Sequence, residues 1–448
     1  MSPTTAEPAA TSRMANEATE QQFALVGAGP IGLCVARALA QHEIPYAQFE
    51  SANAVGGNWR DGVYETAHII SSRKTTEFTD YPMPASYPDF PSGAQMLAYV
   101  QDYARHYDLE KNIAFGTTVR DARPMLEGGV ERWELTFGDG ARRVYKGVIA
   151  CVGHHWDRRW PAYPGTFSGE LIHSKDYKTP EQLRGKRVLV IGGGNSACDI
   201  ASEAARVAAS AHLSTRRGYW FLPKTLFGVP LVELIPPWAP LWLQRLGLRA
   251  ALAVAVGDYG RYGLQQPDHE IFEHHPTINS ELLHYVKHGR ITPHPDVARY
   301  DGDFVEFADS VRERFDLIVA ATGFHQTIPF LAPDLVPVEG PIVKLYGSMM
   351  SDRFRNMYVF GWSQARYGFG PIVSPGADLL AEVILAQARM HHPVGAVLKK
   401  MGAKLPRTHL VDPHAAMRAI RHARKRLPLL VKMEKIVMRN APEPVAAA

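Results

Sequence analysis

Two glycine-rich turns, each set between a short apolar run and an alanine-rich helical pattern, constrain this chain more than any other feature. The first lies in "FALVGAGPIGLCVARALA" from Phe23, and the second in "RVLVIGGGNSACDIASEAA" from Arg187. Their leading glycines, Gly27 and Gly192, stand 192 − 27 = 165 residues apart. A strand that ends in such a turn and re-enters as a helix aims several backbone N–H groups at one point, where the positive end of the helix favours a phosphate. The repeat implies a duplicated βαβ unit, and the spacing leaves room for one such domain nested inside the other. At 448 residues the chain is long enough for two or more structural units.

The two turns part company at the strand patterns beyond them. Gly27, Gly29 and Gly32 give the first a G-x-G-x-x-G pattern, and Glu50 closes the next strand pattern, "YAQFE", 23 residues after Gly27. A carboxylate there accepts hydrogen bonds from both ribose hydroxyls and repels a 2′-phosphate, so this site is expected to hold FAD or NAD rather than NADP. The second turn carries Gly192, Gly194 and Ala197 around Asn195 and Ser196, and its second strand pattern ends in Ser214 and Thr215, with Arg216 and Arg217 next in the chain. Two guanidiniums and hydroxyls suit a 2′-phosphate, which makes NADPH the expected second cofactor; the bland alternative is a solvated basic turn. The predicted fold class is α/β, with two nested Rossmann-like dinucleotide-binding domains (FAD and NADP), the NADP domain inserted into the FAD domain.

The expected organisation is a flexible tail over residues 1–21, the first part of the FAD domain over 22–165 and the NADP domain over 166–325. The FAD domain returns over 326–390, and a basic helical extension occupies 391–448. A helix is expected after an N-cap at Ser92, and strands over 113–152 with "GDG" as a hairpin turn. Residues 391–448 hold twelve Lys or Arg against three acids, a net of +9, so the remainder is 4 − 9 = −5. A solvated helix face is the simplest account of this basic end; an acidic partner or an anionic membrane surface is the alternative. The apolar insertion at about 226–275 has its most apolar part at 226–257, which is broken by four prolines and by Glu233, Arg245 and Arg249. It reads as core, as a dimer surface, as a lip over a substrate tunnel or as a patch for peripheral membrane contact.

No transmembrane segment is expected, since no run of about eighteen uncharged apolar residues occurs, and the first twenty residues lack the apolar core of a secretory signal. Cys34, Cys151 and Cys198 form no C-x-x-C pair, which argues against a dithiol relay and fits a reducing, cytoplasmic setting. No nucleic-acid motif and no metal-ligand cluster is present in the sequence.

The stretch "FSGELIHSKDYK", residues 167–178, fits the F-x-G-x-x-x-H-x-x-x-Y signature of the flavin-containing monooxygenases. "VGGNW" from Val55, "DYPMP" from Asp80, "GHH" from Gly153 and "AATGF" ending at Phe324 fall in that family's order, and the chain resembles the family over about residues 22–390. Tyr177 with Lys178 directly after it is closer to that family than to the related Baeyer–Villiger enzymes. The resemblance implies an FAD enzyme reduced by NADPH that activates O2 as a C4a-(hydro)peroxyflavin and oxygenates an amine nitrogen or sulfide sulfur of a small molecule. A ketone-oxygenating enzyme or an uncoupled, peroxide-producing NADPH oxidase is the alternative. It further implies that Gly57, Asn58, Trp59 and Gln364 join the FAD site, that His173, Tyr177, Thr322 and Gly323 couple the domains, and that the protein is a homodimer. The family's N-x-x-K element departs here: counted back from Lys74 its Asn position is taken by Ser71, and counted from Asp80 by Ile70; Ser71, with one hydrogen to donate, is a weaker candidate for steadying the activated flavin.

Overall fold

A computed structural model describes residues 19–439. Most of the tail expected over 1–21 lies outside the described residues. Two five-stranded parallel sheets form the frame. The first runs in the order Met357–Val359, Gly147–Ala150, Phe23–Val26, Tyr46–Phe49, Ile113–Ala114. The second runs Glu170–His173, Leu317–Ala320, Arg187–Ile191, Ser210–Ser214, Thr292–His294. Phe23–Val26 and Arg187–Ile191 are central, so both faces are covered and their side chains are almost wholly buried, as a continuous apolar run requires.

The sheets correspond strand for strand. Each also carries a three-stranded antiparallel meander before its fourth strand: Val119–Glu127, Val130–Phe137 and Arg142–Tyr145 in the first, Val297–Asp301, Phe304–Phe307 and Arg312–Arg314 in the second. Only the outermost strand has a different origin. In the first unit it arrives last, from residues 357–359; in the second it comes before the glycine turn, from residues 170–173. The second unit is thus nested within the first. The chain enters it through Asp157–Arg158 and leaves through Phe324–His325, which pair antiparallel at one doorway.

Ser92 caps the helix Gly93–His106 by accepting a bond from Gln95 N–H, while the Gln95 side chain accepts one from Ser92 N–H. The insertion folds around the helix Leu241–Ala255 and two short 3-10 turns, Leu231–Leu234 and Tyr259–Tyr262. The basic extension is not an appendage. Leu410–Val411 pairs parallel with Gln364–Ala365, and the helix Pro413–Val437, capped by Asp412, packs along Gly370–Gln387.

Candidate dinucleotide and active site

In the first turn, Gly27 sits at φ +105°, and a Cβ there would lie 2.5 Å from the Cys151 carbonyl oxygen; one on Gly32 would lie 2.1 Å from the Gly27 carbonyl oxygen. Both positions therefore exclude side chains. Gly57, at φ +55°, brings the "GGNW" loop against the turn, since its Cβ would come within 2.8 Å of Gly29 Cα. Pro30 stands in the first turn of the helix Pro30–Gln41, where its missing N–H costs nothing. The Glu50 carboxylate accepts from Ala28 N–H at 2.7 Å and Ala52 N–H at 2.9 Å, which fixes it at the end of the second strand beside the turn. A bare backbone cradle with a carboxylate beside it fits the pyrophosphate and ribose of FAD. Asn58 and Trp59 begin the short helix Asn58–Asp61 just after the Gly57 loop.

The second turn repeats this geometry. Gly192 is at φ +136°, with the Cβ position 2.3 Å from the Ala321 carbonyl oxygen, whereas a Cβ on Gly194 would meet nothing within 4 Å. The Gly194 side of the turn is open, as an approaching pyrophosphate needs. Asn195 is tied to the insertion, donating to the Pro276 carbonyl at 3.1 Å and accepting from Ile278 N–H at 2.8 Å. Ser196 lies in the same helical turn, next to Tyr64, whose hydroxyl donates to Asp199 at 2.7 Å.

At the ribose end the expected residues divide. Ser214 is buried and donates to the Pro295 carbonyl at 2.7 Å, and buried Thr215 receives a bond from Gln265 at its carbonyl, so both brace loops. Arg217 donates to His274 Nε2 at 3.0 Å and lies over the Tyr219 ring; burial and this guanidinium push the His274 pKa down, which keeps its ring a neutral acceptor. Arg216 is exposed and makes no hydrogen bond or ion pair among the described residues. It is the guanidinium available to a 2′-phosphate.

The signature stretch is structural in each of its spaced residues. Gly169 is required because the Phe167 ring folds over it; a Cβ would lie 2.5 Å from the ring. His173 is fully buried, its Nδ1 accepts from Lys175 N–H at 3.1 Å, and the proton is therefore on Nε2, which donates to the Gly323 carbonyl at 3.0 Å. Burial lowers its pKa, so the ring stays neutral and pins the returning chain at Gly323, φ +84°. The Arg159 N–H donates to that same Gly323 carbonyl, and Thr322 Oγ1 donates to the Arg159 carbonyl. Tyr177 packs in the core against Tyr64, ring centroids 5.5 Å apart.

Sequence reasoning missed the residue in the middle of the signature. Lys175 Nζ donates to Asn58 Oδ1 at 2.8 Å and to the His155 carbonyl at 2.9 Å, and burial pushes its pKa down to about 8. It ties the nested unit to the "GGNW" loop of the host. Arg158 and Asp176, a bidentate pair, brace the doorway from the same stretch. The signal for both was a charge beside an interrupted signature, which any solvated turn also shows. Ser71 Oγ is engaged with Thr76 Oγ1 at 2.7 Å, and Lys74 pairs with Glu233 of the insertion at 3.1 Å. Gln364 is half-buried, with its backbone N–H given to the His409 carbonyl. Two buried donors or acceptors just beyond the strand Gly147–Ala150, His154 Nδ1 and Trp156 Nε1, have no protein partner. They lie past the carboxyl edge of the sheet, where open α/β sheets receive ligands. The thiols of Cys34, Cys151 and Cys198 are all free and buried, and burial pushes the Cys34 pKa up to about 12.

The two nested units share a glycine-turn frame, with Glu50 past the second strand of one and an exposed Arg216, unpaired among the described residues, past that of the other. The profile of the flavin-binding monooxygenase-like family matches residues 20–365, and the chain belongs to that family, with FAD and NADPH as its cofactors. It is 32% identical over 353 residues to mouse flavin-containing monooxygenase 5 and 31% identical over 360 residues to rabbit dimethylaniline monooxygenase [N-oxide-forming] 2. Each match covers 73% of this chain but 66% of the relative, so the chain spans somewhat under two thirds of their length. Among solved structures, the flavin-containing monooxygenase from Stenotrophomonas maltophilia superposes with a TM-score of 0.63 at 22% identity, covering 82% of this chain and 98% of that one. Open cyclohexanone monooxygenase gives a TM-score of 0.68 at 16% identity, covering 92% and 97%. These two share the fold. Among the described residues no helix is long and apolar enough to cross a membrane.

Proposed function

We propose that this protein is an NADPH-dependent monooxygenase that uses O2 to oxygenate a soft nucleophile, an amine nitrogen or a sulfide sulfur, of a small organic substrate. The observation that carries this reading is the pairing of a Glu50-type ribose site with an Arg216-type one across a single doorway, in a chain whose three thiols are free and buried. Reducing power delivered to such a flavin has no dithiol to leave through. Bound FAD, once reduced by NADPH, supplies the oxygen activation. The chain's own residues hold the two nucleotides, fix the nested unit through His173 and Lys175, and exclude water with the insertion. The N-oxide-forming relative supports nitrogen as one target. Anaerobic reduction by NADPH, then addition of O2 and a tertiary amine or a thioether, tests the reading. Mass-spectrometric N-oxide or sulfoxide is the expected product; protein that retains no flavin and does not reduce added FAD overturns it.

A second reading, release of peroxide without substrate oxygenation, is favoured by one observation. Ser71 has its hydroxyl committed to Thr76, at the position where the family's N-x-x-K element carries an Asn amide. Peroxide equal to the NADPH consumed, at every amine and thioether tried, would establish it. A cytoplasmic homodimer completes the proposal: the insertion exposes Phe227, Trp238, Trp242 and Leu246, side chains suited to a second copy, and sedimentation at equilibrium measures it.

A further inference from the structure

Four imidazoles from three separate elements converge where the two units meet. His154 and His155 follow the strand Gly147–Ala150, and their rings stand 4.3 Å apart, edge to face. His275 ends the insertion just before Pro276, whose carbonyl holds Asn195 of the second turn. His409, next to the strand Leu410–Val411, accepts from Gln364 N–H at its carbonyl at 2.8 Å. Charge on His409 acts on His154 and His275, and charge on His275 acts on His155, so the four rings share one neighbourhood. Lys175 joins them, its Nζ bonded to the His155 carbonyl and its charge felt by that ring. The cluster therefore lies among the elements that carry the candidate flavin and nicotinamide positions.

His155 is exposed, yet burial holds its pKa well below the usual histidine range. A side chain that touches solvent while deep in the molecule lines the wall of a recess. Burial pushes His154 and His275 down to about 4 and lowers His409, so at neutral pH these rings are uncharged. Among the described residues the rings of His154, His155 and His409 make no hydrogen bond, and His154 Nδ1 and Trp156 Nε1 are buried without a partner. Unmet interior donors carry a desolvation cost that an incoming acceptor removes. The cluster is not a metal centre, since among the described residues no three of His, Cys, Asp or Glu are grouped to hold an ion. Its surrounding charge has one sign. His155 feels Lys175, and His274, beside His275, feels Arg217 and His269. Carboxylates act only at the margin: Glu273 on His274, and Asp61 and Asp176 on Lys175, with Asp176 already bonded to Arg158. None acts on His154, His155, His275 or His409. An entering ammonium adds positive charge that nothing counters, whereas a carboxylate accepts from the ring N–H groups and favours a protonated imidazole.

We propose that this imidazole-lined recess is the substrate site, and that it selects small anionic molecules, a thioether carrying a carboxylate, held by the histidine N–H groups beside Lys175. This rests on the monooxygenase reading and names the substrate class of that site. The test uses full-length protein loaded with FAD and saturated with NADP+, so that the nucleotides' own phosphate positions are filled. Three methyl thioethers of equal length, ending in carboxylate, carboxamide or ammonium, are titrated calorimetrically. The carboxylate should bind about 10- to 150-fold tighter than the ammonium, the ratio for one charged hydrogen bond, with the carboxamide between them. At about pH 6 its binding should also take up protons, read from the dependence of the heat on buffer ionisation. His155→Gln and His409→Gln, checked for bound flavin by absorbance, should each shrink the carboxylate preference by about threefold or more and leave the carboxamide nearly unchanged. Ammonium binding as tight as carboxylate, equal binding of carboxylate and carboxamide, no proton uptake, or losses shared by all three probes overturns the proposal. So does a carboxylate preference seen only when NADP+ is left out, because the anion then sits at a nucleotide phosphate position. Selective carboxylate binding with no sulfoxide formed under NADPH and O2 instead overturns the monooxygenase reading and leaves the anion site standing.

Discussion

The two glycine turns are the same device solved twice, and their differences show which parts are scaffold and which are chemistry. Gly27 and Gly192 both hold a positive φ, and both would drive a Cβ into the carbonyl of the residue after the neighbouring strand, Cys151 in one unit and Ala321 in the other. That constraint comes from packing and is indifferent to the ligand. The residues beyond the second strand diverge instead. Glu50 is clamped by two backbone N–H groups, while Ser214 and Thr215 are buried in bracing roles and Arg216 is left in solvent. On the proposed assignment, identity of the nucleotide is written in three or four residues on an otherwise common frame.

The sharpest way to separate scaffold from chemistry is a pair of substitutions. Gly27→Val should abolish FAD retention and soluble expression, because it places a branched side chain at φ +105° against backbone that cannot move. Gly194→Ala, with open space around its Cβ, should leave the thermal midpoint unchanged and raise only the KM for NADPH. Absorbance of the purified protein and thermal unfolding read both; a folded, yellow Gly27→Val protein would show that the turn is not under this constraint. Next in size, Arg216→Ala should raise the NADPH KM about 10- to 150-fold and leave NADH nearly unaffected, the ratio for one charged hydrogen bond of about 1.5–3 kcal/mol. Arg217→Ala, already bonded to His274, should fall well below that. Equal losses with both cofactors would move phosphate recognition away from Arg216.

The third test probes the strand that the two units do not share. His173→Phe removes the proton given to Gly323, and should destabilise the fold by about 1–3 kcal/mol in urea, with the nested unit opening first in hydrogen exchange. Uniform loss of protection across both sheets would deny His173 a role specific to the junction. The smallest effect concerns Lys175, whose pKa is pushed down to about 8, mainly by burial, from an unfolded value near 10.4. Between those values the unfolded chain binds more protons than the folded one, so stability from this site rises with pH over about 8 to 10. Wild type should gain on Lys175→Met across that window, by urea titration at several pH values; a constant difference would mean that the ammonium stays charged throughout.

Much of this was legible from the chain because the constraints are local. A glycine at a strand–helix turn, an acid closing the next strand and a Ser–x–x–Gln cap at Ser92 each act within a few residues, and the nesting came from the 165-residue repeat. What escaped is long-range and short in extent. The pairing of Leu410–Val411 with Gln364–Ala365 involves two residues a side, too few for any period, yet it docks the basic extension against the strand that carries Gln364. Lys175 gained its role from a partner 117 residues away. Neither circumstance leaves a mark on composition.

The doorway formed by Asp157–Arg158 and Phe324–His325 has a consequence for how such a chain could arise and be rebuilt. Because the nested unit begins and ends on adjacent, hydrogen-bonded strands, the host sheet registers it as a hairpin tip of ordinary width. A whole second domain can be spliced into, exchanged at or removed from that port without rerouting the host's strand order. The chain crosses between the units at that one seam, so a graft of another nicotinamide unit cut between the same two strands inherits the connection but must also rebuild the Lys175–Asn58 and Tyr64–Asp199 contacts.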